Sequence, residues 1–264
     1  MVTSTPPLHG HRVVGFGCGV IVSSEFADAR ISNPESDINS RIIASISLGC
    51  PVLPSRDRVA RYNAGEGIDI VVLYGSCLRN EIMSAPEKQD ALALLATTFA
   101  EWCAGFRLRR VICETADEQA RRHIEASVVF RAVASFPEVG RMLFCMDRNS
   151  VNAMSSSLGN ALFRFNEPCL KLRQSDQQLI SAALHGSTDE ELAVELGISF
   201  AAVKARWRST LAHIGESRPE LVIDEENKDG VRGKQKRHRV LTYMRSHPEE
   251  LRPYQDLAAC SARV

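Results

Sequence analysis

No apolar run in the 264-residue chain approaches the roughly 18 residues that a membrane-spanning helix needs. A membrane partner is therefore not expected. The opening stretch MVTSTPPLHGHR lacks the basic-then-apolar layout of a secretion leader, so a cytoplasmic location is the expectation. The eight cysteines (Cys18, Cys50, Cys77, Cys103, Cys113, Cys145, Cys169, Cys260) are scattered and include no C-x-x-C pair. In a chain of this length such spacing points to reduced thiols, not to a disulfide framework or a zinc site. His9, His11, His123, His185, His213, His238 and His247 show no ligand spacing either, and no metal or cofactor is expected. Net charge is also lacking: 32 Lys and Arg balance 32 Asp and Glu. That balance neither favours nor excludes nucleic acid, because a local patch can hide in an average.

The chain is long enough for one large domain or two ordinary ones. Up to residue 160, strand and helix signals alternate, which predicts an α/β (α+β) domain. RVVGFGCGVIV reads as a strand broken by a bulge or a close backbone contact at glycine. NPESDINSRIIASISLG reads as a helix with Pro34 in its first turn, Ile38, Ile42 and Ile46 every four residues, and Gly49 as its stop. IDIVVLY is the clearest buried strand, and APEKQDALALLATTFAEWCAG the longest helix. DEQARRHIEAS predicts another helix, and VVFRAVASF and RMLFCMDR two strands around a Pro137–Gly140 turn. Asp28, Glu35 and Asp37 precede or open helices and need no catalytic role. Residues 161–170 read as a linker.

Beyond it the signals are helical. Residues 171–216 predict three short helices. Ser175 is placed to cap the first, which has Leu179, Ile180, Ala183 and Leu184 on its apolar side. Ser187 and Glu190 form a capping-box pattern for the second. Asp189, Glu190 and Glu191 then sit where a helix's N-terminal partial charge favours anions. Gly197 permits a left-handed turn, Ile198 plugs the gap between helices, and Ser199 caps the third helix. There Val203, Trp207, Leu211 and Ile214 share the core side. Lys204, Ala205 and Arg208 point outward, with Arg206 near the boundary. A helix, a Gly-containing turn and a basic second helix make a helix-turn-helix, whose second helix fits the major groove. Small residues permit close approach to base edges, and basic ones reach phosphates or guanine.

The run LRQSDQQLISAALHGSTDEELAVELGISFAAVKARWRSTLAHIG resembles the LuxR-type helix-turn-helix of bacterial transcription regulators. Gly186, Glu191, Leu192, Ala193, Leu196, Ile198, Ser199, Val203 and Lys204 fall at that family's matching positions without a gap. Two positions depart: Ala202 stands where the family has Thr, and Trp207 where it has Leu. The pattern is also similar to region four of sigma factors, although no segment resembling a core-binding part precedes it. The resemblance implies double-stranded DNA as partner and Ser199, Phe200, Ala202, Lys204, Ala205, Arg206 and Arg208 as the DNA-binding residues. It also implies that the N-terminal domain is a regulatory or sensing one, with a small-molecule ligand of that domain and RNA polymerase as further partners. One unit buries only roughly 600–1,000 Å² on DNA, so a homodimer reading two half-sites is expected.

A fainter resemblance links the N-terminal domain to GNAT-type acetyltransferases. It is carried by the strand IDIVVLY, a helix, FRLRRVICE and then DEQARRHIEASVVFRAV. That fold holds a CoA pyrophosphate on a Gly-rich turn, whereas GSCLRNEIMSAPEKQ has no G-x-G run. No catalytic residue is therefore assigned, and an acyltransferase remains the alternative. Paired acids with a later Lys, the mark of a phosphoacceptor domain, are not found.

Residues 217–264 combine the acidic loop IDEENKDG with a basic helical extension. Six Lys or Arg face one acid, Asp229, between Lys228 and Arg239. Two readings stand. Lys234, Lys236, Arg237 and Arg239, together with Ser187, could add phosphate contacts, which is the expectation adopted. Alternatively Val240, Leu241, Met244 and Leu251 pack the segment back onto the protein.

Overall fold

The computed structural model describes residues 2–4, 12–77, 83–127, 129–152, 157–223 and 232–255. The chain divides into two compact units, Met1–Arg164 and Phe165–Val264.

In the first unit the described strands are β1 (Val2–Ser4), β2 (Arg12–Val22), β3 (Ile68–Cys77), β4 (Leu108–Thr115), β5 (Arg131–Phe136) and β6 (Arg141–Asp147). They form one 6-stranded sheet in the order β1-β2-β3-β4-β6-β5. Only the β3–β4 pairing is parallel; the others are antiparallel. Helices cover the sheet: α1 (Ser24–Ser32), α2 (Ile38–Ser47), α3 (Arg56–Ala64), α4 (Ala85–Cys103), α5 (Glu118–Ala126), α6 (Arg148–Asn152) and α7 (Ser157–Phe163). Alternation along β3 builds two cores, because successive side chains of a strand point to opposite faces. Ile68 and Ile70 pack with Val59, Cys103, Phe106, Leu162 and Phe163. Val71 packs with Val22, Ala27, Ile38, Ile42 and Leu143 on the other side. The mixed α/β expectation holds for this unit.

Two irregularities shape the sheet. In β2 the register shifts between Cys18 and Gly19, where a Cβ on Gly19 would lie 3.3 Å from the Val71 carbonyl oxygen. Both the bulge and the close approach expected of the glycines are thus present. In β4 the pairing passes from Leu108 to Arg110 while β3 advances by one residue, leaving Arg109 extra. This bulge turns Arg109 and Arg110 toward the same buried carboxylate. Asp69, fully buried, accepts from Arg109 Nη2 at 2.6 Å and from Arg110 Nε at 2.8 Å. Two guanidinium groups offset the desolvation of one carboxylate, which an unpaired charge could not survive.

Several local expectations need correction. Pro34 lies ahead of α2, not in its first turn. The helix begins at Ile38 because Asp37 adopts a left-handed φ of 65° and because Glu114 of β4 accepts from the amides of Asp37 and Ile38 at 2.8 and 2.6 Å. Ile38 and Ile42 are buried, but Ile46 is exposed. The boundary between the two units falls inside the stretch 161–170. Leu162 and Phe163 belong to the first unit's core, and Leu170 belongs to the second's. Helices α1 and α3 were not anticipated; Ser23 and Ser55 cap them. Cys18, Cys50, Cys103, Cys113, Cys145 and Cys169 are free thiols, and the Cys77 and Cys260 side chains lie outside the description. Burial pushes the Cys113 thiol up to about 12 and that of Cys145 up to about 11.

The second unit is helical: α8 (Gln174–Ala183), α9 (Asp189–Glu195), α10 (Phe200–Ser217) and α11 (Arg232–Ser246). Three-residue 3-10 turn Pro219–Leu221 and the turn Pro248–Leu251 complete it. The all-α expectation is met there. The buried carboxylate of Glu250, 1% exposed, ties the unit's two ends together. It accepts from the amides of Cys169 and Leu170 at 3.0 and 2.9 Å and from the Tyr243 hydroxyl at 3.1 Å. Gln177 of α8 donates to the carbonyls of Glu250 and Arg252.

Burial, then the neighbouring Glu250 carboxylate, push the Tyr243 phenol up to about 12 from an ordinary value of 10.0. A raised folded-state pKa means that the folded chain favours the neutral phenol. Its stabilising contribution is complete below pH 10 and is lost as pH climbs toward 12. The unfolding free-energy difference between wild type and Tyr243→Phe, measured in urea at several pH values, is expected to shift against wild type across that window. A pH-independent difference would contradict it.

Candidate nucleic-acid interface

The interface candidate rests on how α8 and α9 hold α10. Helix α8 starts two residues earlier than expected. Arg173 is its N-cap and makes no side-chain cap bond, so Ser175 lies inside the first turn instead of capping it. Leu179, Ile180, Ala182 and Ala183 supply its buried side. Helix α9 is capped by Thr188, not Ser187. The Thr188 hydroxyl accepts from the Glu191 amide at 3.3 Å, and the Glu191 carboxylate accepts from the Thr188 amide at 2.7 Å. Donation from the Thr188 amide, and then from its hydroxyl, holds the Glu191 carboxyl below its usual range. Leu192, 1% exposed, faces the core as its spacing predicts.

The turn between α9 and α10 is closed by its backbone. Gly197 has a φ of 63°, its amide donates to Val194, and the Ile198 amide donates to Ala193. That is a Schellman ending, in which a glycine without Cβ strain reverses the chain and the following apolar residue folds back on the helix. Ser199 then caps α10, its hydroxyl accepting from the Ala202 amide at 3.1 Å. The expected turn and cap are both in place.

Helix α10 is buried along one side only. Val203, Trp207 and Ile214 are at most 2% exposed, and Thr210 is fully buried. Sequence reasoning missed Thr210, whose hydroxyl donates to the buried Asp176 carboxylate of α8 at 2.7 Å. It is a polar bolt between two helices, with both partners inside the core. On the opposite side Ala201, Lys204, Ala205, Arg208, Ser209 and Ala212 are exposed. Among the described residues no carboxylate pairs with Lys204 or Arg208. The outer surface therefore combines small side chains with positive charge left unneutralised.

The remaining candidates separate. Phe200 is 39% exposed, and the Lys204 ammonium sits 4.1 Å from its ring centroid. Ala202 is half-buried. Arg206 lies on the other edge of α10, in a depression of about 440 Å³ that it lines with Gln178, His185 and Glu195. The structure thus places Arg206 apart from Lys204 and Arg208. Ser187 is half-buried and outside α9.

The basic extension packs onto this unit. Val240 and Met244, one helical turn apart on α11, are 0% and 1% exposed in the core that holds Trp207. Arg237 donates to Asp189 of α9 at 2.8 Å, and its guanidinium lies 4.8 Å from the Trp207 ring centroid. Its charge is engaged in joining α9, α10 and α11. Lys236 and Arg239 are half-buried on the same helix, and the Lys234 side chain lies outside the description. Among the described residues no group of three or more His, Cys, Asp or Glu could hold a metal ion, and no helix is long and apolar enough to cross a membrane.

No protein-family model matches the chain, and no curated protein or solved structure matches it either.

Packing of α11 has a measurable consequence. Met244→Ala is expected to lower the unfolding free energy by about 2–5 kcal/mol, through lost transfer energy and the cavity left behind. Chemical denaturation followed by circular dichroism checks this. A loss under about 0.5 kcal/mol would mean that α11 does not belong to the core.

Proposed function

We propose that the chain is a sequence-specific, DNA-binding transcriptional regulator of bacterial type whose second unit reads double-stranded DNA through α10. The first unit would sense a ligand or partner and dimerise, and the active form would be a cytoplasmic homodimer that acts on RNA polymerase. One observation carries the proposal. Helix α10 is held by its buried side against α8, α9 and α11, and its free side joins small residues to Lys204 and Arg208, which no carboxylate among the described residues pairs.

Chemistry supports that reading of the free side. Ala201 and Ala205 keep the helix surface low, so the backbone can come close to base edges. A major groove about 12 Å wide admits a helix, and cations along its walls meet the phosphates. Two of the four acids of α9 are engaged inside the protein: Asp189 pairs with Arg237, and Glu191 closes a capping box.

The proposal is tested by salt titration. Each neutralised phosphate contributes about −0.9 to the slope of log affinity against log salt. Lys204→Ala and Arg208→Ala are each expected to weaken binding to selected DNA and to make the slope shallower by about 1. Arg206→Ala, on the other edge, is expected to leave the slope unchanged. Unaltered affinity in both Lys204→Ala and Arg208→Ala would sink the proposal.

A further inference from the structure

The first residue of α10 carries more than its position requires. Phe200 follows the Ser199 cap directly, a site that needs neither an aromatic nor an apolar side chain for helix initiation. The residue is nevertheless 39% exposed, and Val203 and Trp207 fill the core beneath without it. One helical turn on, Lys204 sets its ammonium 4.1 Å from the ring centroid. Cations are drawn to the electron-rich face of an aromatic ring, so each side chain limits the rotamers of the other. The pair is thus ordered in advance, and less freedom is lost when it meets a partner.

We propose that Phe200 is a specificity-determining residue that recognises the 5-methyl group of a thymine in the major groove, with Lys204 holding the ring in place. This deepens the DNA-reading assignment of α10 and rests on it. The N-terminal residues of a recognition helix are those that meet base edges. Of the groups that base pairs present in that groove, the thymine methyl is the apolar one, and its preferred contacts are apolar side chains, phenylalanine included. Ala201 and Ala205 beside the pair are small and exposed, so nothing on the same face holds the ring away from the base. An exposed ring kept in one place by a neighbouring cation suits such a contact. The ammonium retains donors on its outer side for an acceptor on the adjacent base or phosphate.

The test separates this inference from the assignment beneath it. Sites are first selected by the full-length chain from random duplex DNA, and each thymine of the selected site is then replaced in turn by deoxyuridine. That substitution removes one methyl group and leaves base pairing intact. At one thymine per half-site the wild-type affinity is expected to fall about fourfold, the scale of one buried methyl group. Phe200→Ala is expected to bind thymine and deoxyuridine equally at that position, and so is Phe200→Gln, which keeps much of the side-chain length. Melting curves confirm that the variants fold. Wild-type indifference to deoxyuridine at every thymine would overturn the inference, and so would full sensitivity retained in both variants. Failure to bind DNA, or selection that returns no common sequence, would overturn the reading of α10 itself and the inference with it.

Discussion

Burial of Trp207 fixes which way α10 faces. A side chain of that size, 2% exposed, cannot turn outward without opening the core formed by Val203, Ile214, Leu179, Ile180 and Met244. Packing at native density leaves a helix little rotational freedom, so one large anchor settles the azimuth of every other residue on it. Lys204, Ala205 and Arg208 are outside because Trp207 is inside. The hydrogen bond from Thr210 to Asp176 and the contacts of Arg237 with Asp189 and the Trp207 ring hold the same orientation from two further directions.

The basic extension takes its meaning from that anchor. In isolation, a segment with this many Lys and Arg suggests a loose arm for phosphates. In the fold, Val240 and Met244 seat it in the core, and Glu250 binds the amides of Cys169 and Leu170. The C-terminal segment is therefore part of what keeps the helix-turn-helix rigid. Its charge divides accordingly: Arg237 is used within the fold, while Arg239 is half-buried on the same helix.

Much of the second unit was legible in the sequence because its signals are local. The spacing of Val203, Trp207 and Ile214, the glycine at 197 and the serine at 199 each report a constraint that neighbouring residues satisfy. Cap positions slipped by one or two residues where several hydroxyls compete. Ser187 and Thr188 can both open α9, and it is Thr188 that closes the capping box with Glu191. In the first unit the decisive features are long-range. The extra residue Arg109 exists only in register with β3, and the start of α2 is set by Glu114 some 76 residues away. Helices α1 and α3 carry few apolar residues and are ordered by burying Ala27 and Val59 against the sheet, which no local pattern announces. Arg206 shows the same limit at the interface, since its neighbours His185 and Glu195 come from α8's end and from α9.

The central claim is that the outward surface of α10 meets the bases. Ala205 lies at its middle, exposed and small, and tolerates a longer side chain without any cost to the core. The direct measurement is recovery and sequencing of genomic DNA fragments bound by the purified full-length chain, in parallel with Ala205→Glu. Wild type is expected to enrich discrete fragments sharing a short motif. The variant, with an unchanged melting temperature, is expected to lose them, because a carboxylate then stands where the groove would be. Equal recovery by both proteins would contradict the claim.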